Sequence, residues 1–287
     1  CEQGIMRARA SSLHVRRLSS SAAAPPPPPP ISAVPLADAL PVSEVARRVF
    51  ESLEEFGFGA ASTTVLSSTC PFERPGLVGS VVERYGGSPI ALGGLGGIPF
   101  AGRTGVDSAF AMAATAPDSR NLIVYGTHID VAADGEIGTA LASNPILQAF
   151  ATMDEAAGVE GLDPELLRDR HDLQHSLLLL EAAKAYDSVI AHPEPAAATA
   201  YRAFDAVQRY LREIVYGGEP RATPFASLGG ITVHTADGVR FLPLAFEFLD
   251  HEEGQLHDLV EDVFPEVARM HGAMLFDLGG EDEMGEE

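Results

Sequence analysis

Residues 121–126 read Asn-Leu-Ile-Val-Tyr-Gly, a run of four apolar side chains stopped by glycine. A strand with one wet face alternates polar and apolar residues. A run that is apolar throughout predicts a strand buried on both faces, the kind found in a parallel sheet with helices above and below it. His128 follows two residues after the glycine. Open α/β sheets carry their sites at the carboxyl edge of such strands. His128 is therefore a metal ligand or proton carrier at that edge, or a turn histidine with a satisfied ring.

The rest of the chain supports the same class. Val42, Val45, Ala46, Val49, Phe50, Leu53 and Phe56 recur at helical spacing, with Ser43 as the predicted N-cap and Gly57 as the stop. Residues 63–70, TTVLSSTC, predict a short strand ending at Cys70, and residues 77–86 a second helix. Residues 87–106 are glycine-rich and end in a strand or tight loop. Asp163 and Pro164 predict the start of a long helix reaching about Ala191. A further helix, from about 194 to 216, carries Phe204, Val207, Leu211 and Ile214 on one stripe. Residues 231–235 and 240–248 predict a hairpin around Ala-Asp-Gly, and residues 255–272 a last helix. Strands separated by helices give an α/β class with a mostly parallel core.

Both ends of the chain differ from this pattern. Residues 6–24 hold Arg7, Arg9, Arg16 and Arg17 among serines and alanines and no acid, and prolines fill 25–30. Residues 1–34 are expected to be an organelle transit peptide with a Pro-rich linker. That places the protein in a chloroplast or mitochondrion. The chain starts on Cys rather than Met, so more sequence is expected before it. Residues 35–276 are expected to form one domain and residues 277–287 a solvated acidic tail.

Net charge is −22, and removing residues 1–30 leaves 15 basic against 40 acidic side chains. Such a surface repels phosphate backbones, so no nucleic-acid partner is expected. No apolar run nears the roughly 20 residues of a membrane helix, so no membrane span is expected. Cys1 and Cys70 are too few for a disulfide framework, which favours a reducing compartment.

Cys70 and His128 each follow a predicted strand, and parallel strands end on one edge. Thiolate and imidazole suit zinc, whose catalytic sites take three protein ligands and keep one position open. By spacing alone, a buried inert cysteine and a hydrogen-bonded histidine are the commoner arrangement. His171 and His175 stand four apart, as a metal pair or as two surface histidines. His251 and His257 miss the same motif by spacing. The cluster Gly93–Gly97 lacks the lysine of a phosphate loop and reads as tight backbone packing. There is no Gly-x-Ser-x-Gly elbow.

Three stretches, IALGGLGGIPFAGRTGVDSAF (90–110), LIVYGTHIDVAADGEIG (122–138) and GGITVHTADGVRFLPLAFEF (229–248), resemble the limiting-CO2-inducible protein B family, theta-class relatives of the β-carbonic anhydrases. DLQHSLL, residues 172–178, resembles the helix after that family's site. The resemblance spans about Val45 to Phe248. It implies a β-carbonic-anhydrase-like α/β fold: a short, mostly parallel sheet flanked by helices, with long helices and a C-terminal hairpin. It implies reversible hydration of CO2 to bicarbonate, in CO2 concentration or recapture, by a homodimer or a hetero-oligomer with a family paralogue. It also implies zinc held by Cys, His and Cys, with Cys70 and His128 as the first two ligands. The third cysteine is missing from TALASNPILQAFATMDEA (139–156); Asp130, Asp134 or Asp154 could supply an oxygen instead. An Asp–Arg pair beside the first cysteine gates the fourth position in that family. Here Phe72 stands where the acid is expected, and Glu73 and Arg74 form a shifted pair. The family's histidine before Pro-Asp is absent before Pro117-Asp118. These departures leave a second reading open: a non-catalytic member acting as a structural or regulatory oligomer partner.

Overall fold

A computed structural model describes residues 36–73, 76–114, 118–133, 171–216, 223–250 and 255–268, with positions 116, 137, 145, 148, 149 and 152. The strands are β1 (Leu40–Pro41), β2 (Thr63–Ser68), β3 (Ile90–Ala91), β4 (Arg120–Asp130), β5 (Phe225–Thr235), β6 (Gly238–Asp250) and β7 (Gln255–Asp258). The helices are α1 (Val42–Glu54), α2 (Leu77–Tyr85), α3 (Gly102–Ala113), α4 (Leu173–Ile190), α5 (Pro195–Val215) and the short α6 (Val260–Val263).

The strands form one seven-stranded sheet in the order β1-β6-β5-β4-β2-β3, with β7 on β6. The pairs β3·β2, β2·β4 and β4·β5 are parallel. The pairs β5·β6, β6·β1 and β6·β7 are antiparallel. The α/β class holds, with a parallel centre inside a mixed sheet, because the hairpin β5–β6 joins that centre directly and turns its far side antiparallel.

Leu122, Ile123, Val124 and Tyr125 are all buried in β4, as an unalternating run requires. Tyr125 stacks on Phe204 of α5, ring centroids 5.9 Å apart. Side chains alternate along a strand, so His128, three residues on, faces the other side. The N-terminal end of α2 covers that side: a methyl on Gly76 would lie 3.4 Å from both Thr232 of β5 and Val239 of β6. Helices thus cover both faces of the centre. Helix α1 buries Val42, Val45, Ala46, Val49 and Leu53. It meets α2 through an edge-on contact of Phe50 with Tyr85, centroids 5.3 Å apart.

Several predicted boundaries move. Pro41, not Ser43, takes the cap position of α1, and no side chain caps that helix. The glycine-rich stretch leads into a helix, α3, rather than a strand. Asp172 accepts the His175 N–H at 3.0 Å and starts α4 there, so the long helix does not run unbroken from residue 163. Residues 255–258 extend the sheet as β7 instead of opening a helix. That strand bonds only β6, and a wet edge strand carries the polar composition of a surface helix. Residues 1–35 and 269–287, and with them the expected transit segment and acidic tail, lie outside the described residues. Among the described residues no helix is long and apolar enough to cross a membrane.

Candidate functional site

The glycine-rich loop is pressed into the sheet. Ser68, the last residue of β2, donates its hydroxyl to the Gly97 carbonyl at 2.8 Å. A Cβ on Gly97 would overlap the Gly126 carbonyl oxygen of β4, and Gly97 has φ +83°, so only glycine fits the turn. A Cβ on Gly126 would in turn overlap the Gly230 carbonyl oxygen of β5. From the other side, Gln174 at the start of α4 accepts the Leu95 N–H at 3.0 Å. The loop is thereby pinned beside the tips of β2 and β4.

Cys70 lies two residues past β2, in a turn where its carbonyl accepts the Glu73 N–H at 3.0 Å. It is 2 % exposed and carries a free thiol. Burial raises the thiol's pKa above its ordinary value, the neighbouring backbones of Phe72, Gly96 and Glu73 oppose the rise, and the Glu73 carboxyl adds to it. A cation nearby would favour the thiolate. The glycine loop thus bears on the thiol through Gly96.

Glu73 closes the same turn and folds back over the sheet. Its carboxyl shares a hydrogen bond with Thr232, and burial pushes its pKa up to about 7. Its Oε2 is sealed from solvent and takes no hydrogen bond among the described residues. Arg74, the expected partner, lies outside the described residues.

His128 lies within β4 rather than past its end. Strand β2 stops at the level of Tyr125, but β4 continues beside β5, and His128 pairs in register with Thr232. Gly126 marks the edge of the neighbouring strand, not the end of its own. Glu73, Thr232 and His128 therefore form a bridge from the Cys70 turn to β4. His234, two residues beyond Thr232 on the same face, sets its ring against that of His128, with centroids 5.7 Å apart and planes at 65°. Both rings are 3 % exposed.

Sequence reasoning missed His234 and Thr232. Their signal is period two within GGITVHT, but it becomes informative only once the register of β5 against β4 is known. Among the oxygen candidates, Asp130 sits in β4 with His234 as its register partner. Asp134 and Asp154 lie outside the described residues. His171 precedes α4 and His175 sits in its first turn, so the two do not share a helical face. His257 stacks on Phe248 in β7, and His251 lies outside the described residues.

A family described as limiting CO2-inducible proteins B/C beta carbonic anhydrases matches residues 39–250. The chain belongs to that family. The crystal structure of PtLCIB4, a homolog of the limiting CO2-inducible protein LCIB, is 24% identical. The match covers 77% of this chain and 95% of that one, with a TM-score of 0.65. The crystal structure of limiting CO2-inducible protein LCIB itself is 18% identical over 78% of this chain and 94% of that one, with a TM-score of 0.59. These likenesses establish a shared fold. No curated protein matches the chain.

The limiting CO2-inducible B/C resemblance implies zinc, and donor types that suit it are present: a buried free thiol, buried imidazoles and an orphaned carboxylate oxygen. Among the described residues no three His, Cys, Asp or Glu side chains already form a chelating group.

Proposed function

We propose that this limiting CO2-inducible B/C family member is a carbonic-anhydrase-like protein that interconverts CO2 and bicarbonate in CO2 concentration or recapture. The reading places it in a chloroplast or mitochondrion, as a homodimer or a hetero-oligomer with a paralogue. One observation carries the chemistry: Cys70 carries a free, buried thiol in the turn whose Glu73 bonds Thr232, the register partner of His128.

Cys70 and His128 would hold the zinc, which when bound supplies a Lewis acid that lowers the pKa of water towards neutrality. Burial raises the Cys70 thiol's pKa and the backbones of Phe72, Gly96 and Glu73 oppose that rise, so it is the cation that would bring the sulfur to its thiolate form. Glu73 Oε2 accepts a hydrogen bond from the reacting water and orients its lone pair towards CO2. Thr232 fixes the carboxyl so that this oxygen stays turned inward. Arg74 keeps Glu73 ionised, the part of the shifted acid–arginine pair.

A second reading, a non-catalytic oligomer partner, is favoured by the missing cysteine in residues 139–156. Metal analysis and stopped-flow CO2 hydration on the full chain separate the two. One zinc per chain and hydration lost in Cys70→Ser support the enzyme. A folded, zinc-free and inactive wild type supports the partner.

A further inference from the structure

Helices α4 and α5 meet the glycine-rich loop around a small cleft. Its walls are largely apolar: Ile98 of the loop, Leu178 and Ala182 of α4, and Ala203 of α5. Two charged side chains, Glu181 and Arg202, line it as well. Cys70, Glu73, His128 and His234 do not, so the cleft is separate from the candidate metal site. Its empty space, open mouth included, is about 310 Å³, which leaves room for a small molecule only. The two charges are held differently. Glu181 meets Lys184 and Arg209 at 2.6 Å each and accepts the Tyr210 hydroxyl at 2.9 Å, so two cations already answer its charge. The Arg202 side chain is 8 % exposed and meets Asp205 at 3.4 Å. Asp205 is itself 57 % exposed, where water screens an ion pair and leaves it worth little. A guanidinium carries five N–H donors in a planar fork, so Arg202 can hold a further acceptor alongside Asp205. A buried cation in an apolar cleft suits an anion of single charge whose remainder is apolar.

We propose that this cleft binds a short-chain monocarboxylate. The carboxylate accepts parallel N–H groups from Arg202, the planar match that guanidinium and carboxylate make. The aliphatic chain lies against Ile98, Leu178 and the alanines, and gains by leaving water. Bicarbonate offers the same planar head without the chain, so the apolar walls add nothing to its binding. The cleft needs no zinc at Cys70, and the proposal stands apart from the enzymatic reading. Gly96 lines the cleft and its backbone also bears on the Cys70 thiol, so the occupant adjoins the loop that borders the candidate site.

The test is titration of the full chain with sodium butyrate, read by calorimetry and by the methyl NMR signals of Ile98 and Leu178. Butyrate is expected to saturate and to shift those signals. Affinity should rise roughly fourfold for each methylene from acetate through propionate to butyrate. Butyramide, which lacks the charge, should bind about tenfold more weakly, and so should butyrate to Arg202→Met. Ala203→Leu, which fills the cleft, should abolish binding. Bicarbonate that binds as tightly as butyrate overturns the assignment to carboxylates with an apolar chain. Equal affinity for butyrate and butyramide overturns the proposal, and so does a folded Arg202→Met that binds butyrate as wild type does. Wild type without saturable binding in the millimolar range overturns it outright. That measurement needs no variant, so a misfolded substitution leaves the proposal decidable. Loss of zinc or of CO2 hydration overturns the enzymatic reading alone and leaves the cleft untouched.

Discussion

Gly126 of β4 and Gly230 of β5 are register partners whose backbones touch: a methyl on Gly126 would overlap the Gly230 carbonyl oxygen. The contact stands two residues before His128 and four before His234. Gly126→Ala must therefore push the strands apart beside the buried imidazoles. Overpacking of this kind costs about 1–3 kcal/mol. Chemical denaturation should show a loss of at least that size, with weaker zinc binding. Gly59→Ala, whose new methyl would lie 3.5 Å from the Ser62 hydroxyl in ordinary contact, should stay near wild type. Equal stability of the two variants would refute the seam.

Glu73 gives metal-free protein a pH signature. Its carboxyl is raised from 4.5 to about 7, chiefly by burial. Below pH 4.5 it is protonated both folded and unfolded, and its contribution to stability is fully present. As pH rises through 7, the unfolded chain keeps a hydrated carboxylate while the folded one must ionise in a buried place. The contribution is then lost, on the order of 2–3 kcal/mol. Urea unfolding of apoprotein at pH 5 and pH 8 should show a larger drop for wild type than for Glu73→Gln. The same drop in both would remove Glu73 as the cause.

On the far side of the sheet, Glu247 of β6 is 5 % exposed and is bonded by Arg212 of α5 and by Tyr216, which caps that helix. The Arg212 side chain is half exposed. The two partners are thus unequal. Arg212→Met leaves a buried carboxylate with only hydroxyl donors, whereas Glu247→Gln leaves a guanidinium that water can reach. Arg212→Met should be the costlier, at about 2–4 kcal/mol against about 1 for Glu247→Gln. A reversed order in thermal or urea unfolding would contradict the burial assigned to Glu247.

What the sequence disclosed follows the range of each physical signal. The stripe of Phe204, Val207 and Leu211 is local periodicity, and α5 follows it almost residue for residue. The unalternating run in β4 likewise announced burial on both faces. Glycines misled in two ways. Gly102 and Gly105 disguised α3, where helix propensity is poor but Val106, Ala109 and Phe110 pack inward. Gly126 looked like a strand end, yet β5 continues to pair with β4 beyond it. Cys70 and His128 could be named as candidates because each follows an apolar run. His234 could not, because its value depends on a strand register that no local pattern encodes.

Gln174 offers a way to disturb the site without touching a ligand. Its side chain accepts the Leu95 N–H at 3.0 Å, one residue before Gly96, whose backbone opposes the rise in the Cys70 thiol's pKa. A Cβ on Gly94 would strike the same amide group, so α4 and the loop are closely fitted here. Gln174→Ala removes one hydrogen bond, worth about 1 kcal/mol in global stability. Its larger effect should fall on zinc affinity, about tenfold, because the loop is freed to draw Gly96 away from the sulfur. Gln174→Glu keeps an acceptor of the same length and should recover most of that loss, as competition with a chelator would measure. If Gln174→Ala lowers stability and leaves zinc affinity unchanged, the α4 contact supports the fold alone.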